Sequence, residues 1–588
     1  MLLAVLVAAG ALSARAVPAA GAGRPALVAA VVSCVVAAAA SRPFLLGMAA
    51  LGLAAVLGAR CWAGVEPPSR TSRWTGAASL VTDPDQGSGA VRSQLRLDGG
   101  RHVDALAFGA AGACLRPRLA GERVAVHGTL SPPAKGSQDR LAARHVSARL
   151  TVTSCRGAGS GPPWIRAANH LRRTLARGAL ALPEDRRGLW AGLVVGDQRD
   201  QPADVEADFS AAGLTHLLAV SGQNVAFALA AVGPLLRRLA LRGRLVAAIL
   251  VLGLFGTAVR WEPSVMRATA MAALALLAGA LGVEASALRL VSLASAGLVL
   301  VDPMLVHRLG FRLSVAAVVG LALWARPLAA RLPGPAMLRD ALAATLAAQA
   351  ATAPVLLALG GLAPASIPAN VLAVPAAGPV MVWGLTGGLA AGVVGGRVAD
   401  LLHLPTRLLL TWLTGVADAA AGLPLAPVGA VPIVAAALLV WLAVRWPAGR
   451  RRTAAAAAAA CVLLAPSLAA AGAGPRDLVD DEPAFGLRLW RADGTTVAVV
   501  DGGHPARVLV GLRTRGVGRI DLLVATRAGP RVLSPLAAIL HRHDVVALAG
   551  PVRLDVAGLR PFPLGTSIRA GPFTVTSTEA GLDVRRSA

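Results

Sequence analysis

The chain contains no tyrosine and only one lysine, Lys135, among its 588 residues. Charged residues make up 15% and aromatic residues 3%, whereas 55% are hydrophobic and the mean hydropathy is +0.64. This scarcity of charge excludes an ordinary soluble globular protein, and the apolar excess predicts a polytopic membrane protein. The lack of tyrosine and lysine, with abundant Ala, Gly, Pro and Arg, indicates a GC-rich genome, so the use of arginine needs no functional reason.

The charge that is present is unbalanced, with 57 basic and 31 acidic residues and a formal net charge of +26. Three explanations fit this excess: contact with anionic lipid, contact with nucleic acid, or arginine-rich cytoplasmic loops. Net charge does not choose among them. The distribution is more informative, because arginine-rich loops at 237–244, 326–339 and 450–452 separate apolar runs, and such loops are typical of the cytoplasmic side.

Residues 1–62 are predicted to hold three membrane segments. Their apolar runs cover about 1–19, 25–41 and 43–60. A cleaved signal peptide is the alternative for the first run, since small residues occupy 14–16 and 18–20, although a basic start is lacking.

Residues 186–473 are predicted to be the main membrane domain, because apolar runs follow one another throughout. Their centres lie near residues 225, 252, 273, 294, 316, 350, 380, 413, 436 and 463. A re-entrant segment between 360 and 425 stays open as an alternative to full spans. With an internal N terminus, the count places the arginine-rich loops inside, and the polar regions 63–157 and 474–588 outside the cytoplasm.

The polar region 63–157 predicts a small β barrel or sandwich, since turn signals separate short alternating runs. The runs are Val91–Leu97, His102–Phe108, Glu122–Leu130 and His145–Val152. Residues 120–133 resemble a barrel strand of an OB-fold, a fold that binds single-stranded nucleic acid through exposed aromatics beside basic residues. Trp74 and Phe108 are nearly the only aromatics here, so a structural domain without a ligand is the alternative.

Five cysteines show neither a C-x-x-C spacing nor a zinc pattern. Three of them lie in or at the end of apolar runs, where cysteine behaves as a small hydrophobe. Cys114 and Cys155 lie in the polar region 63–157. If this region faces an oxidising compartment, the two are the predicted disulfide partners.

Residues 158–185 have apolar side chains at helical spacing on one face and arginines on the other. The arginines of the polar face are Arg166, Arg172, Arg173 and Arg177. The pattern predicts an amphipathic helix that lies along the membrane interface. A surface that collects phosphate groups is the alternative.

Residues 215–232 are the most informative stretch of the chain. An apolar segment long enough to enter a bilayer carries four polar residues and Gly222 within nine positions. The four are His216, Ser221, Gln223 and Asn224. Polar groups at membrane depth are costly unless they pair or line a wet cavity, so the cluster predicts a functional site. The alternative is that the segment starts at the interface and its polar end lies in water.

The letters THLLAVSGQNVA within this stretch resemble the signature of the ComEC family, the inner-membrane DNA-uptake channel of natural transformation. Other segments resemble parts of the same family's competence domain and follow in the family's order. They are Gly196-Asp197 with Phe209 and Gly213, Pro263 to Met271 around Arg267, Asp302-Pro303 with Gly310 to Ser314, Gln349 to Pro354, and Ile367 to Pro375 around Asn370. The resemblance marks Arg267, Gln349 and Asn370 as further residues of the DNA pathway or of its polar support.

These segments also make physical sense for a channel. Three prolines in residues 367–379 predict broken backbone, which is tolerated at membrane depth only where it is buried in protein or lines water. Arg267 stands among apolar neighbours and must snorkel, pair or face a cavity. In a DNA pathway it would meet phosphates, and pairing with Glu262 is the alternative.

The resemblance implies a metallo-β-lactamase-like domain in residues 474–588. Strands are predicted at Gly486–Trp490, Thr496–Val500, Ile520–Thr526 and Val545–Ala549. The family's H-x-H-x-D-H motif is missing, because Thr526 to Arg531 stand in its place, and a dinuclear hydrolytic site needs those ligands. His541 and His543 come about fifteen residues too late, and His504 stands alone. We therefore expect no catalytic metal and no enzymatic activity.

The sequence thus predicts a polytopic α-helical membrane protein with an OB-like β ectodomain and a C-terminal α/β metallo-β-lactamase-like domain. The resemblance implies a plasma-membrane channel for DNA, in contact with lipid, an external DNA receptor and a cytoplasmic helicase. No cofactor is expected, and no nucleotide-binding P-loop is present. A transporter of another anionic substrate and a membrane-bound metallo-hydrolase are the alternatives.

Overall fold

The computed structural model describes residues 1–16, 23–39, 43–87, 89–218, 220–359, 361–423, 428–445, 477–551, 556–578 and 581–586, with short pieces between 454 and 465. Within these residues, six helices are long and apolar enough to cross a membrane, so the chain is a polytopic helical membrane protein. The predicted span near residue 463, the loop 450–452 and the small residues 18–20 lie outside the described residues.

Three helices open the chain, in the places where the apolar runs predict them. They are α1 Leu2–Ser13, α2 Arg24–Ala39 and α3 Pro43–Gly64. A side chain at Gly10 would overlap the backbone of Leu51, so α1 and α3 pack at close range. Val7 and Ala54 are fully buried in this contact, whereas Val28 in α2 is 61% exposed. Exposed apolar surface of this kind is the surface that meets lipid.

The polar region after α3 folds as a closed β barrel with two short helices. Its elements are β1 Ser72–Leu80, β2 Asp85–Gly87, β3 Ala90–Leu97, β4 His102–Ala107, α4 Gly109–Leu115, β5 Arg123–Ser131, α5 Gln138–Ala142 and β6 Val146–Gly159. Pairing runs from β1 through β5, β6, β4 and β3 and returns from β3 to β1, which closes a ring of five strands. In this ring only β4 and β6 run parallel.

The barrel interior is filled by every second side chain of its strands, as the two-residue period of a strand requires. Leu95, Val124 and Leu150 have no exposed surface. A disulfide joins Cys114 in α4 to Cys155 in β6, with the Cα atoms 5.9 Å apart. This bond attaches the barrel's helix to its longest strand.

A series of helices follows the barrel. They are α6 Pro163–Ala179, α7 Glu184–Val195, α8 Ala203–Ala211, α9 Thr215–Leu218, α10 Gly222–Leu236, α11 Leu241–Ala258, α12 Pro263–Ala280, α13 Ala287–Val301, α14 Leu309–Gly320, α15 Arg326–Ala329, α16 Ala336–Leu357, α17 Ser366–Val394, α18 Gly396–Leu402, α19 Leu404–Gly422 and α20 Ala430–Arg445. Each predicted apolar centre from 225 to 436 falls on one of them. The helices α10 and α13 are shorter than a full span, and α14 continues through a π-helical turn into α15.

Two predictions about these helices are wrong. Residues 367–379 do not interrupt a helix, because they lie inside the continuous helix α17. Pro368 stands in the first turn, where a helix needs no intrahelical donor, whereas Pro375 and Pro379 lie on an exposed face of α17. Arg172 does not lie on an exposed face, because α6 packs against α11 and α17 and leaves this residue 5% exposed.

The C-terminal domain, described from residue 477 to 586 with the gaps given above, is an α/β unit with two sheets. Its elements are β7 Leu478–Ala484, β8 Leu487–Ala492, β9 Thr495–Val500, α21 Pro505–Thr514, β10 Arg519–Ala525, α22 Pro530–Arg542, β11 Asp544–Gly550, β12 Leu559–Pro561, β13 Ser567–Ala570, β14 Phe573–Thr578 and β15 Gly581–Arg586. The larger sheet has the order β12-β11-β10-β9-β8-β7, parallel from β9 to β12 and antiparallel from β7 to β9. The helices cover one face around Leu509 and Leu536, and the strands β13 to β15 cover the other around Trp490 and Phe573.

Candidate functional site

The segment 215–232 is an interrupted helix, made of α9 and α10, rather than one continuous apolar helix. Ser221 stands at the break and caps α10. Its Oγ accepts a hydrogen bond from the backbone N–H of Gln223 at 3.2 Å, and the backbone N–H of Ser221 donates to Oδ1 of Asn224 at 3.3 Å. This reciprocal arrangement is a capping box, which satisfies the backbone donors at the start of a helix.

Side chains from other segments bind the carbonyl groups that the interruption leaves without helical partners. Nε2 of Gln198 donates to the carbonyl oxygen of Leu218 at 3.0 Å, and Oγ of Ser264 donates to that of Val220 at 2.7 Å. Irregular backbone inside a membrane domain persists only where such groups are satisfied. The segment before α8 and the first turn of α12 therefore maintain the break.

The polar side chains of the interrupted helix fall into two groups. Asn224 is 3% exposed, and its Nδ2 donates to the carbonyl oxygen of Leu193 in α7 at 2.7 Å. Together with Ser221 it supports the helix start. His216 and Gln223 are exposed on the described structure. In the described part of this helix, His216 and Gln223 are thus the members of the cluster that have exposed side chains.

Arg267 in α12 lies against the first residue of α10. A side chain at Gly222 would meet Nη2 of Arg267 at 2.9 Å. The guanidinium is buried, donates from Nε to Oγ of Ser314 at 2.9 Å and lies 3.4 Å from Sδ of Met271. In the described part of the chain no carboxylate pairs with it, and the alternative pairing with Glu262 does not form.

Arg267 is therefore a buried cation beside the positive end of a helix dipole. Each of these features alone favours a negative charge nearby, and together they do so more strongly. The sequence indicated an unusual arginine here, but not that it faces the start of α10.

Gln349 and Asn370 meet at Ser366, the first residue of α17. Nε2 of Gln349 donates to Oγ of Ser366, and Nδ2 of Asn370 donates to its carbonyl oxygen, both at 2.7 Å. Gly213, which precedes α9 with a φ of +69°, lies so close that a side chain there would overlap Ser366. The candidate residues thus form two groups. Arg267 lies at the start of α10, whereas Gln349 and Asn370 meet at Ser366, beside the turn that precedes α9.

A buried ion network, which the sequence reasoning missed, joins the barrel to the helices behind the site. Nη2 of Arg172 lies 2.9 Å from the carboxylates of both Asp83 and Asp197. Arg260 binds Asp83 at 2.7 Å, and Arg199 binds Asp197 at 2.5 Å. Asp83 belongs to the barrel, whereas the other four residues belong to α6 or to the turns after α7 and α11.

Both carboxylates of this network remain ionised. Burial would raise the pKa of Asp197, but the hydrogen bonds of Arg199 and the charges of Arg172 and Arg199 lower it to about 2. Burial likewise opposes the shift at Asp83, whose pKa is lowered by Arg172 and Arg260. Asp83 and Arg260 stand 177 positions apart, so no local pattern could have linked them.

In the C-terminal domain, an ion pair occupies the position at which the sequence resemblance would place a metal motif. Asp501 follows β9, and it accepts hydrogen bonds from Oγ1 of Thr526 at 2.6 Å and Nε of Arg527 at 2.8 Å. His504 lies 3.9 Å from Glu206 in α8. Among the described residues no group of three or more His, Cys, Asp and Glu side chains could hold a metal ion.

These features define a class: a polytopic helical membrane protein whose polar candidate residues surround an interrupted helix. A buried arginine at the start of this helix has no carboxylate partner among the residues that the structure describes. Residues 193–468, which hold most of the membrane helices, match the family model described as Competence protein. The match includes the interrupted helix, Arg267, Gln349 and Asn370. Comparison with curated proteins and with solved structures found no match.

Proposed function

We propose that the protein is a plasma-membrane channel that passes DNA, as a single strand, into the cytoplasm during natural transformation. The match of residues 193–468 to the competence family supports a part in DNA uptake. The channel proposal rests above all on Arg267, a buried guanidinium with no carboxylate partner in the described residues, beside the first turn of α10. A DNA backbone supplies the anions that such a position favours.

In this proposal each phosphate meets Arg267 and the helix dipole of α10 in turn. One cation at this position gives attraction without a long row of contacts, which suits conduction, because a conducting site must also release what it binds. Phosphate contacts carry no sequence information, so strands of any sequence pass. The exposed His216 and Gln223 would line the approach to this position.

The proposal also covers the barrel domain and the C-terminal domain. A ring of five strands with one parallel pair, and with α4 between β4 and β5, supports an OB-like ectodomain. The mixed sheet with crossover helices supports a metallo-β-lactamase-like C-terminal domain, in which Thr526 and Arg527 stand where metal ligands would be. We propose that both domains lie outside the cytoplasm, with a DNA receptor outside and a helicase inside as partners.

A deletion strain tests the function directly. Transformation frequency, internalised labelled DNA and surface-bound DNA are scored separately. We expect surface binding to persist and internalised DNA to disappear, because the channel acts after capture. Normal transformation without the protein would contradict the proposal.

Arg267 gives a sharper test with a matched control in the neighbouring helix. Arg267→Met should lower internalised DNA on the order of tenfold or more, the worth of one charge-assisted hydrogen bond, while abundance in the membrane stays normal. Arg267→Lys should retain part of the uptake because it keeps the charge. Arg289→Met, at an exposed arginine of α13, should have no effect. Loss of uptake that merely follows loss of protein would contradict the role of Arg267.

A transporter of another anion is the second candidate, because a buried arginine at a helix start binds any phosphate or carboxylate. Uptake of labelled nucleotides by a strain that does not pass DNA would favour it. A membrane-bound hydrolase is the third. Elemental analysis of the purified protein that finds about two zinc or manganese ions, as two-metal hydrolases require, with nuclease activity lost on His541→Ala, would establish it.

A further inference from the structure

Helix α8 lies between the membrane helices and the C-terminal domain. It packs against α19 on one side and against α21 and α22 on the other. Ala207 of α8 is 2% exposed and belongs to the same apolar cluster as Leu509 and Leu536 of the C-terminal domain. A residue of the membrane domain thus completes the core of the C-terminal domain.

Ion pairs reinforce this contact. Asp208, whose side chain is 11% exposed, pairs with Arg513 of α21 at 2.7 Å and with Arg542 of α22 at 3.1 Å. Arg542 also pairs with Asp418, near the end of α19, at 2.8 Å. A carboxylate so little exposed is costly without its cations. Two arginines of the C-terminal domain therefore fix α8 and connect it to α19.

The connection from α8 to the interrupted helix is short and rigid. The backbone N–H of Gly213 donates to the carbonyl oxygen of Ser210, and that of Leu214 donates to the carbonyl oxygen of Phe209. These bonds end α8 in the manner of a Schellman motif, with Gly213 in the left-handed conformation. Leu214 has no exposed surface. A displacement of α8 would therefore move α9 with it.

We propose that the C-terminal domain positions the interrupted helix by holding α8, through the Ala207 contact and the pairing of Asp208 with Arg513 and Arg542. This gives the domain a function that requires no hydrolysis. The consequence for DNA passage rests on the proposed function, whereas the positioning itself does not.

Hydrogen exchange of the full-length protein in detergent or nanodiscs tests the positioning. Arg513→Ala and Asp208→Asn should speed amide exchange in α8 and in residues 213–221 by about tenfold, which corresponds to about 1.4 kcal/mol of local stability. The double variant should be no faster than Asp208→Asn alone, because both changes remove one shared interaction. Arg488→Ala is the matched control, since it breaks an exposed pair with Asp480 that lies within the C-terminal domain.

Faster exchange confined to α21 and α22 would overturn the proposal, because the domain would then dock without positioning the helix. Unchanged exchange in all variants would overturn it as well. Arg513→Lys should restore slow exchange, which separates loss of the ion pair from misfolding. Internalised DNA should fall in Asp208→Asn and not in Arg488→Ala. If the parent strain takes up no DNA while exchange changes as expected, the channel function fails and the positioning stands.

Discussion

Asn224 joins two elements with one side chain. Its Oδ1 accepts from Ser221 at the start of α10, and its Nδ2 donates to the carbonyl oxygen of Leu193 at the end of α7. Gln223, the preceding residue, is exposed. The sequence singled out both residues equally, because a pattern of polar letters reports position along a helix and not which partner each side chain reaches.

Leucine substitutions at these two positions should have different effects. Asn224→Leu should lower the amount of protein in the membrane, since the buried carbonyl of Leu193 loses its partner at about 1–3 kcal/mol and the start of α10 loses its cap. Gln223→Leu should leave the amount unchanged and reduce DNA uptake. The measurements are membrane abundance and internalised labelled DNA. Normal abundance of Asn224→Leu would refute the capping role, and normal uptake in Gln223→Leu would refute a place in the pathway.

The ion network predicts a dependence of stability on pH. The pKa of Asp197 is about 2 in the folded protein, below the value of about 3.9 expected when unfolded. Its stabilisation, on the order of 2 kcal/mol, is therefore complete above about pH 4 and is lost as pH falls towards 2. Thermal unfolding of the purified protein against pH should show this loss. The variant Asp197→Asn should not show this loss of stability at low pH. The control Asp583→Asn, which changes an exposed ion pair, should show it.

Most secondary-structure elements could be predicted, because apolar runs and two-residue alternation are local properties. The predicted centres from 225 to 436 lie on helices, and each predicted strand overlaps an observed one. Strand β1 was missed because its residues Gly76 to Ser79 are small and show no alternation. Helix α17 was misjudged because a proline removes one backbone donor and favours a kink, but the helix continues through Pro375 and Pro379.

Close packing between α6 and α17 predicts a strict requirement for glycine. A methyl group at Gly392 would overlap the carbonyl oxygen of Thr174. Gly392→Ala should therefore destabilise the protein by about 1–3 kcal/mol, through overpacking, and lower its melting temperature. Gly415→Ala in α19 has open space around it and serves as the control. Equal melting temperatures for the two variants would contradict this packing.

The disulfide of the barrel likewise connects two secondary-structure elements, because it joins α4 to β6. Mass mapping of alkylated membranes under non-reducing conditions should recover Cys114 and Cys155 in one linked peptide pair. The two stand 41 positions apart, and the chain-entropy estimate for closing such a loop is about 4 kcal/mol. Reduction should destabilise the barrel accordingly, whereas Cys34→Ser should change nothing. Two alkylated thiols would exclude the bond.

For the molecule as a whole, the sequence could mark candidate residues but not the contacts between them. Arg267, Gln349 and Asn370 all stand in motif segments, but the placement of Arg267 at Gly222 and of the two amides at Ser366 depends on contacts between distant segments. The docking of the C-terminal domain on α8 is equally non-local, because Asp208 and Arg542 are 334 positions apart. The spacing of residues in a single sequence cannot predict contacts of this kind.

The arginine-rich loops predict the orientation of the whole protein. Reporter fusions near Gly100 and after Gly474 should give extracytoplasmic signals, and a fusion near Arg242 should give a cytoplasmic one. Gly474 lies outside the described residues, so this fusion tests the count of spans independently of the structure. A cytoplasmic signal there would overturn the topology.

The ion network also sets an order of assembly during synthesis. Asp83 leaves the ribosome 177 residues before Arg260. At about 5–20 residues per second, that interval lasts roughly 10–35 s. Strand β1 is made before this interval, and the last strand, β6, and both cysteines are made in its first half. The barrel can therefore fold while the helices that receive it are still being inserted. Its attachment is completed only when the turn after α11 arrives, which makes docking of a preformed domain a late step in the biogenesis of the protein.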